Sequence, residues 1–438
     1  MKTTIYLRLL VAAGLFAAAA VQAQTYTFSI PPGQTNANKH PILNNPHGVA
    51  VDASGNMYVA DTGNHVIRVI LAGGDISTYS NLVLGPVNPQ DIDESPAFHF
   101  NSPMGIALDA SGNIYVSDNN VIYEVTGTPA NAVVTIVAGS TQGHQDGPAQ
   151  VAKFNGAYGL AVDNSGNIWV ADQNNSDFRE ITTNGVVITV TPIQVSNAHL
   201  PGKLADNDHF TGITIDHQNN IFLMDSADYV HEYSAANGIS TIWSGGNSTS
   251  SRGLAVDYND NVYIYDGGSN AVLCISPGGT ATMLGNLPTS RGQIAGVAID
   301  ADKNLYMVDQ VNNVIIKGTV SYPAFFDGQI ALSKGVYYLS FADGTIFGYY
   351  NLGDFDFPWF YHYDMGYEYF FDDGNGGAYL YDAASGDFWY TSPQVFPFLY
   401  DFTLNAWLYY FPDNQNPGHY TSNPRTFYDF GTSQIITR

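Results

Sequence analysis

The sequence has little charge and few basic residues. Only 12% of its 438 residues are charged, and 14 Lys and Arg face 39 Asp and Glu, a formal net charge of −25. An ordinary globular domain is about 25% charged. Binding to a phosphate backbone needs clustered Lys and Arg, so we expect no nucleic-acid partner. Glutamate is scarce as well, since 34 of the acidic residues are Asp, and Asp is typical of turns.

Cysteine is almost absent, because Cys274 is the single one in the chain. One cysteine cannot form an intramolecular disulfide, so the fold must be held by packing. Cys274 follows Val272 and Leu273 and precedes Ile275. This apolar setting predicts a buried thiol on a strand.

Long apolar runs are lacking beyond the N-terminal region. Lys2 and Arg8 precede an apolar run over residues 9–21, and small residues lead up to Ala23. This pattern is typical of a secretory signal peptide spanning residues 1–23, with cleavage after Ala23. We therefore expect a secreted protein (periplasmic, extracellular or cell-surface associated) with no transmembrane segment.

One sequence pattern recurs through residues 24–320. It consists of a Gly, alternating apolar residues, an Asp, a short turn, an Asn, an apolar run and a second Asp. Each copy predicts two short strands joined by a tight turn, followed by a third strand and, in five copies, a fourth. Four short strands repeated six times predict an all-β fold with a six-bladed β-propeller. The six copies begin at Gly48, Gly105, Gly159, Gly212, Gly253 and Gly296.

The repeats resemble those of the NHL family. The resemblance is clearest in the copies that start at Gly48, Gly105 and Gly159, which read GVAVDASGNMYVAD, GIALDASGNIYVSD and GLAVDNSGNIWVAD. It covers residues 25–320 and implies a six-bladed propeller of the kind found in many secreted and signalling proteins.

The turn of each repeat has its own signature. The first Asp of each copy is expected to accept hydrogen bonds from N–H groups of the turn, and the second Asp to do the same after its strand. A left-handed backbone is predicted three residues after the first Asp, where glycine gives way to other residues in later copies. These positions are Gly55, Gly112, Gly166, Asn219, Asp260 and Lys303.

The sixth repeat lacks a fourth strand after Lys317. The segment Thr25–Ile30 alternates apolar and polar residues and is predicted to supply that strand. Such a closure would remove two exposed sheet edges. Tyr26, Phe28 and Ile30 would then share one strand face that packs against a neighbouring blade.

Aromatic residues concentrate in the last part of the chain. Residues 321–438 hold 36 of the 59 aromatic residues, and two units, 335–373 and 377–413, can be aligned. This favours a small, separate domain of aromatic-rich β-hairpin repeats. Packing of neighbouring hairpins would account for most of the rings, and exposed platforms for sugar rings are the alternative.

Propellers of this family bind ligands at the mouth of the central channel. The residue before each repeat glycine is the best sequence proxy for that position. In this family the longer loops, at 81–102, 140–157 and 192–211, would lie on the same face and form a raised rim. We call the six positions the channel mouth: His47, Met104, Tyr158, Thr211, Arg252 and Ala295.

Arg252 is the basic residue of the channel mouth. With His47 and Tyr158 it predicts a site for an anionic or hydroxyl-rich group, because guanidinium offers a planar fork of donors. The alternative is that Arg252 pairs with a nearby turn aspartate.

The same positions bear on metal chemistry. Among enzymes that resemble this family, the peptidyl amidating lyase holds zinc with three histidines at such positions, whereas this sequence has His47 alone. A catalytic zinc needs about three protein ligands. We therefore expect no metal, no other cofactor and no catalytic residue, and no G-x-S-x-G elbow is present.

The sequence is best interpreted as a secreted, monomeric binding or scaffold protein. The propeller would recognise a protein or a glycan, and the aromatic domain would dock to a surface or partner. The alternative is a secreted propeller enzyme of the lyase or lactonase type with a metal in its channel. Fold resemblance does not choose the ligand.

Overall fold

The computed structural model describes the propeller repeats and most strands of the C-terminal region. The described residues divide into two compact units, the first within 26–319 and the second from 320 onward. The predicted signal peptide lies outside the described residues. The described residues are 25–32, 34–35, 41–79, 82–84, 97–190, 209–244, 252–289, 292–321, 329–333, 336–340, 346–351, 359–362, 366–372, 378–382, 388–392, 398–401, 406–410, 426–429 and 434–437.

Strands dominate these residues, which confirms the all-β prediction. Within the described ranges helix is confined to two 3₁₀ turns, Thr62–Asn64 and Gln173–Asn175. In the same ranges no helix is long and apolar enough to cross a bilayer.

The first unit is a six-bladed propeller, as predicted. Each blade is a sheet whose strands pair in order from the innermost to the outermost, and strands of a blade that are consecutive in the chain are antiparallel. Blade one contains β2 (Val49–Val51), β3 (Met57–Asp61), β4 (Val66–Ile70) and β5 (Ile76–Tyr79). Blade two contains β8 (Pro103–Leu108), β9 (Ile114–Asp118), β10 (Val121–Thr128) and β11 (Asn131–Gly139). Blade three contains β13 (Ala157–Val162), β14 (Ile168–Asp172), β15 (Asp177–Ile181) and β16 (Val186–Val190).

The remaining blades follow the same order. Blade four contains β17 (Phe210–Ile215), β18 (Ile221–Asp225), β19 (Tyr229–Ser234) and β20 (Gly238–Ser244). Blade five contains β21 (Leu254–Val256), β22 (Val262–Asp266), β23 (Ala271–Ile275) and β24 (Ala281–Asn286). Blade six contains β25 (Ile294–Ile299), β26 (Leu305–Asp309), β27 (Val314–Ser321) and, from the N-terminus, β1 (Thr25–Ser29).

The pairing of β1 with β27 confirms the predicted ring closure. Tyr26 is buried, and its hydroxyl donates to the carbonyl of Lys303 at 3.0 Å. Phe28 contacts the backbone at Gly318 and Gly285. The prediction was wrong for Ile30, which is 44% exposed. It lies one residue beyond β1, where no neighbouring strand covers it.

The cores lie between blades. Val59 and Ile70 of blade one pack with Val308 and Ile315 of blade six in one such cluster. Equivalent clusters join blades one to five in succession, so these blades bury their faces against their neighbours. Cys274 lies on a strand, as predicted, but it is partly exposed rather than buried.

The tight turns behave as the repeat predicts. Asp52 Oδ1 accepts from the N–H groups of Ser54 and Asn56, both at 2.9 Å. The left-handed conformation occurs at every predicted position, including the non-glycine Asn219, Asp260 and Lys303 with φ of 67°, 62° and 63°. The first Asp and the left-handed residue therefore have the predicted structural roles in all six blades.

The second aspartates divide into two groups. In blades four to six they accept from the turn that follows, as predicted, for example Asp225 from the N–H of Ala227 at 2.8 Å. In blades one to three they accept from the loop that precedes the inner strand, for example Asp61 from the N–H of Asn44 at 2.8 Å. The prediction was wrong for that group, where the residues after the second Asp donate to it through the side chains of Asn64, Asn119 and Asn175 and not through backbone N–H groups.

Short strands cover the outer edges of blades two and three. β6 (Leu82–Leu84) runs parallel to β11 and is followed by β7 (Ala97–Phe98). β12 (Gly147–Pro148) pairs with β16. These described parts of the long insertions cap edge strands, a role that the sequence analysis did not assign to them.

The second unit contains one antiparallel sheet of eleven strands, and each strand pairs with the next in the chain. The predicted hairpin units are thus joined into a continuous meander. The strands are β28 (Ile330–Ser333), β29 (Val336–Ser340), β30 (Ile346–Asn351), β31 (Trp359–His362), β32 (Gly366–Asp372), β33 (Ala378–Asp382), β34 (Phe388–Thr391), β35 (Phe398–Asp401), β36 (Ala406–Tyr410), β37 (Thr426–Asp429) and β38 (Gln434–Thr437).

Candidate functional site at the channel mouth

The repeat glycines bring the inner strands of adjacent blades together. A Cβ added at Gly48 would lie 2.5 Å from the carbonyl oxygen of Met104, and one at Gly212 would lie 2.6 Å from that of Arg252. Gly296 closes the circle, with 2.6 Å to the carbonyl oxygen of His47. Only glycine permits this close approach of two backbones. The channel-mouth residues are therefore held next to the glycines of neighbouring blades.

The channel contains a cavity of about 270 Å³. Five of the channel-mouth residues are among those that line it: Met104, Tyr158, Thr211, Arg252 and Ala295. His47 lies beside the cavity, with its ring centroid 5.9 Å from that of Tyr158 in an edge-on arrangement. The residue before each repeat glycine thus lies at one end of the channel in all six blades. Of these six residues, His47 is beside the cavity and does not line it.

His47 is engaged on both ring nitrogens. Nδ1 lies 3.0 Å from the carbonyl oxygen of Asn45 and 2.9 Å from Oγ1 of Thr62. A carbonyl can only accept, so Nδ1 carries the proton and Nε2 is left to accept from Nε2 of Gln310 at 3.2 Å. Burial and the nearby charge of Arg252 lower the pKa of His47, which keeps the ring neutral near pH 7.

Tyr158 and Arg252 form the polar pair of the cavity. Nη1 of Arg252 donates to the hydroxyl of Tyr158 at 3.4 Å. Tyr158 is 7% exposed, and burial raises the pKa of its phenol although Arg252 opposes the shift. The phenol therefore stays protonated and can both donate and accept.

Arg252 has no carboxylate partner among the described residues, within which the ion pairs of the propeller involve other groups. The turn-aspartate pairing considered for Arg252 is absent from this part of the chain. Arg252 lines the cavity, and its guanidinium has more N–H donors than the one that Tyr158 accepts from.

Thr211 and Met104 contribute differently. Thr211 is buried, and its hydroxyl lies 3.4 Å from the carbonyl oxygen of Met224 on the next strand. Met104 is partly exposed and offers a thioether to the cavity. Both help to shape the mouth, whereas its charge comes from Arg252.

Sequence reasoning missed Thr62 and Gln310, which orient His47. Each directly follows the second Asp of a repeat, Asp61 in blade one and Asp309 in blade six. That position lies beside the channel mouth because antiparallel pairing puts the end of the second strand beside the start of the first. The residue after the second Asp of each repeat could therefore have served as a second sequence marker of the channel mouth.

The insertion at residues 140–157 leads directly into Tyr158. Arg179 is fully buried beneath it and donates to Asp172 at 2.9 Å and to the carbonyl of Lys153 at 3.2 Å. Its guanidinium also lies 5.2 Å from the ring centroid of Phe154. The insertion is therefore a fixed element on the channel-mouth side of blade three. The loops at 85–96 and 191–208 lie outside the described residues.

Throughout the described ranges no group of three or more His, Cys, Asp and Glu side chains is arranged to hold a metal ion. His47 directs Nε2 at Gln310 and not into the cavity.

Residues 43–70 match the NHL repeat family. This match falls on the first blade of the propeller. A curated relative, human Teneurin-4, is 27% identical over 169 residues, which cover 34% of this chain and 6% of Teneurin-4. The chain thus spans a small part of the length of that relative.

Three solved structures are similar to this chain in fold. Virginiamycin B lyase from Staphylococcus aureus has a TM-score of 0.43 at 11% identity and covers 69% of this chain and 97% of its own. A gluconolactonase from Xanthomonas campestris has a TM-score of 0.46 at 12% identity, covering 69% and 99%. A protein of unknown function from Bacteroides thetaiotaomicron has a TM-score of 0.48 at 12% identity, covering 68% and 76%.

Proposed function

We propose that this chain is a secreted binding or scaffold protein whose propeller holds a ligand at the channel mouth. The observation that carries the proposal is the pair formed by Arg252 and Tyr158 at the cavity. Within the described residues Arg252 has a phenol as its side-chain partner and no carboxylate. A guanidinium in this state binds carboxylates and hydroxyl-rich groups with paired hydrogen bonds.

The charge of the whole chain strengthens this assignment. A chain with 39 acidic and 14 basic residues has few cations available for recognition, and one of them lies at the channel mouth. The acidic surface repels polyanions at long range, so the preferred ligand carries an isolated carboxylate or a set of hydroxyl groups. Glycans and polypeptides with such groups are the expected ligands.

The neutral state of His47 fits binding better than acid–base catalysis. Its two ring nitrogens are occupied by Asn45, Thr62 and Gln310, so it has no free nitrogen for a substrate. Its role is to pack edge-on against Tyr158 and fix that ring.

A binding screen tests the proposal. Carboxylated and neutral glycans and peptides are offered to wild type, Arg252→Ala, Arg252→Lys and Tyr158→Phe. Loss of a buried charge-assisted hydrogen bond weakens binding by roughly tenfold or more, so Arg252→Ala should bind at least that much less tightly. Lys317→Gln is the matched control, since it removes the same charge from a residue whose ammonium lies over Tyr306.

The outcomes separate the alternatives. Weaker binding in Arg252→Ala but not in Lys317→Gln supports the mouth site. Equal binding by all variants would place recognition elsewhere. Turnover of a bound lactone or ester that depends on stoichiometric metal would favour the enzyme instead.

A further inference from the structure

The channel mouth has a polar side and an apolar side. Tyr158, Thr211 and Arg252 precede the repeat glycines of blades three, four and five, which follow one another around the ring. Arg252 contacts Tyr158 although blade four lies between their two blades. Met104 and Ala295, from blades two and six, line the cavity with side chains that contain neither nitrogen nor oxygen. The hydrogen-bond donors of the mouth are therefore gathered on one side.

The phenol and the guanidinium on the polar side can donate to the same group. Nη1 of Arg252 donates to the hydroxyl oxygen of Tyr158 at 3.4 Å, so that oxygen serves as an acceptor. The phenolic hydrogen has no acceptor among the described residues, and the guanidinium has further N–H groups. An ionised carboxylate only accepts, and its two oxygens match two adjacent donors.

The charge at the cavity adds up to one positive unit. Arg252 is the charged side chain among the described residues that line it. Burial keeps Tyr158 protonated by raising its pKa, and burial together with Arg252 keeps His47 neutral by lowering its pKa. One negative charge on a ligand therefore neutralises the site. A phosphate group carries about −1.5 to −2 at pH 7, and its excess charge would face a chain of net charge −25.

The size of the cavity limits how much of a ligand can enter. Its volume of about 270 Å³ corresponds to roughly nine water molecules at about 30 Å³ each. Pockets that enclose drug-sized ligands are larger, at about 300–1,000 Å³. A stretch of polymer cannot be enclosed in this space, whereas the end group of a ligand can. The ligand must therefore enter end-on.

Aliphatic side chains line the cavity beyond the mouth. The inner strands supply Val, Leu, Ile and Ala together with glycine, and Thr214 is the hydroxyl-bearing residue of this described lining. Contact with these walls removes apolar surface of the ligand from water, which is favourable. The hydroxyl groups of a sugar would find few side-chain partners there. The walls thus favour an aliphatic body next to the carboxylate.

We propose that the channel mouth binds an aliphatic monocarboxylate end-on, with its carboxylate on Arg252 and Tyr158. This inference rests on the function proposed above and names the ligand class of the same site. The chemistry is that of a short free acid, or of the C-terminal residue of a polypeptide that ends in an aliphatic side chain. Sugar acids have the same charge on a hydroxyl-rich body and bind less tightly.

NMR titration of the full chain with small probes tests the inference. N-acetyl-leucine and hexanoate both carry a carboxylate on an aliphatic body, and they represent the chain end and the free acid. N-acetyl-leucinamide has the first body without the charge, glucuronate has the charge on a sugar, and inorganic phosphate carries more charge. The variants are Arg252→Gln and Tyr158→Phe. Lys317→Gln is the matched control, since it removes a positive charge from a residue that does not line the cavity.

We expect N-acetyl-leucine, hexanoate or both to bind with a Kd of about 1 mM or below. Tighter binding of N-acetyl-leucine assigns the site to a chain end, and tighter binding of hexanoate assigns it to a free acid. Arg252→Gln should weaken binding by about tenfold or more, and Tyr158→Phe, which removes one hydrogen bond, by about threefold to tenfold. Lys317→Gln should bind like wild type. Thermal unfolding checks each variant, and if Arg252→Gln does not fold, Tyr158→Phe must still weaken binding.

The inference is wrong if N-acetyl-leucinamide binds as tightly as N-acetyl-leucine, or if glucuronate or phosphate binds more tightly than both aliphatic acids. When that stronger binding is lost in Arg252→Gln, the proposed mouth site stands and only the ligand class is wrong. When Arg252→Gln binds every acid as wild type does, the proposed function fails as well. Absence of binding by both aliphatic acids also overturns the inference, and the wider screen of glycans and peptides then decides the proposed function.

Discussion

The side-chain amide of Gln34 pairs with the backbone of Ile315 as a neighbouring strand would. Its Oε1 accepts from the N–H of Ile315 at 2.6 Å, and its Nε2 donates to the carbonyl of Ile315 at 2.9 Å. Gln34 is 2% exposed, so both bonds are shielded from water. The closure of the ring therefore continues beyond β1 through one side chain.

Substitution of Gln34 tests this latch. Gln34→Ala would leave the N–H and carbonyl of Ile315 buried without partners, and we expect a loss of about 1–3 kcal/mol in the free energy of unfolding.

Deletion of residues 25–30 should cost more, because it also removes the buried Tyr26 side chain, worth about 1.5–3 kcal/mol. Chemical denaturation measures both. Ile30→Ala is the control and should have little effect, since Ile30 is exposed; an unchanged midpoint on deletion would contradict the closure model.

Two glycines of blade two are needed for different reasons, Gly112 for its backbone conformation and Gly105 for close packing between blades. Gly112 has φ of +85° and no atom within 4 Å of an added Cβ, so Gly112→Ala should cost about 1–2 kcal/mol from the left-handed backbone alone. At Gly105 an added Cβ would collide with the carbonyl oxygen of Tyr158. Gly105→Ala should cost about 3 kcal/mol or more, because two backbones must move apart. Equal thermal destabilisation of the two variants would show that the inter-blade contact is unimportant.

Arg179 is predicted to be essential for blade three. Its guanidinium and the carboxylate of Asp172 are both fully buried. Arg179→Met would leave Asp172 as a buried charge without its cation, and we expect a loss of about 3–5 kcal/mol. Adding Asp172→Asn should restore part of that stability. A double variant that is no better than the single one would mean that the packing of the guanidinium, and not its charge, holds the insertion.

His47 should make stability depend on pH. Burial and Arg252 lower its pKa in the folded state from the usual 6.5, so the unfolded chain binds the proton more readily. The stability that His47 contributes is present above pH 6.5 and is lost as the pH falls below it. We expect the free energy of unfolding of wild type to fall more between pH 7.5 and 5.5 than that of His47→Gln. A steeper fall in the variant would contradict the assigned neutral state.

Asp260 should have the opposite effect on the pH dependence of stability, because it destabilises the fold at neutral pH. Burial and the nearby carboxylate of Asp216 raise its pKa, although His217 opposes this, so its ionised form destabilises the fold as the pH rises above 3.8. Asp260→Asn should stabilise the protein at pH 7 by about 0.2–1 kcal/mol. Asn219 already occupies the same left-handed position in blade four. Urea denaturation at pH 7 and pH 4 measures the gain, which should disappear at the lower pH. A loss of stability at pH 7 would show that the His217 contact outweighs the repulsion.

The regular features of this protein follow from its sequence because they are local. The spacing of glycine and aspartate predicted six blades, the strand order within each blade, and a left-handed residue at positions as unlike as Gly55 and Lys303. These depend on hydrogen bonds and backbone angles within a few residues, which repeat whenever the motif repeats. The closing strand was also predictable, since blade six lacked a partner and Thr25–Ser29 alternated correctly.

Other features depend on residues distant in the chain, and only the tertiary structure decided them. The orientation of His47 depends on Gln310, 263 positions away. The donors of Arg252 remain available because no acidic side chain pairs with it among the described residues. The exposure of Ile30 and the second role of Asp61 follow from which strand happens to be adjacent. In the C-terminal sheet, the sequence supplied the aromatic residues, but the register of β31–β37 aligned them into rows. A period-two pattern fixes alternation along one strand, whereas alignment between strands is set by the turns and pairing of the whole sheet.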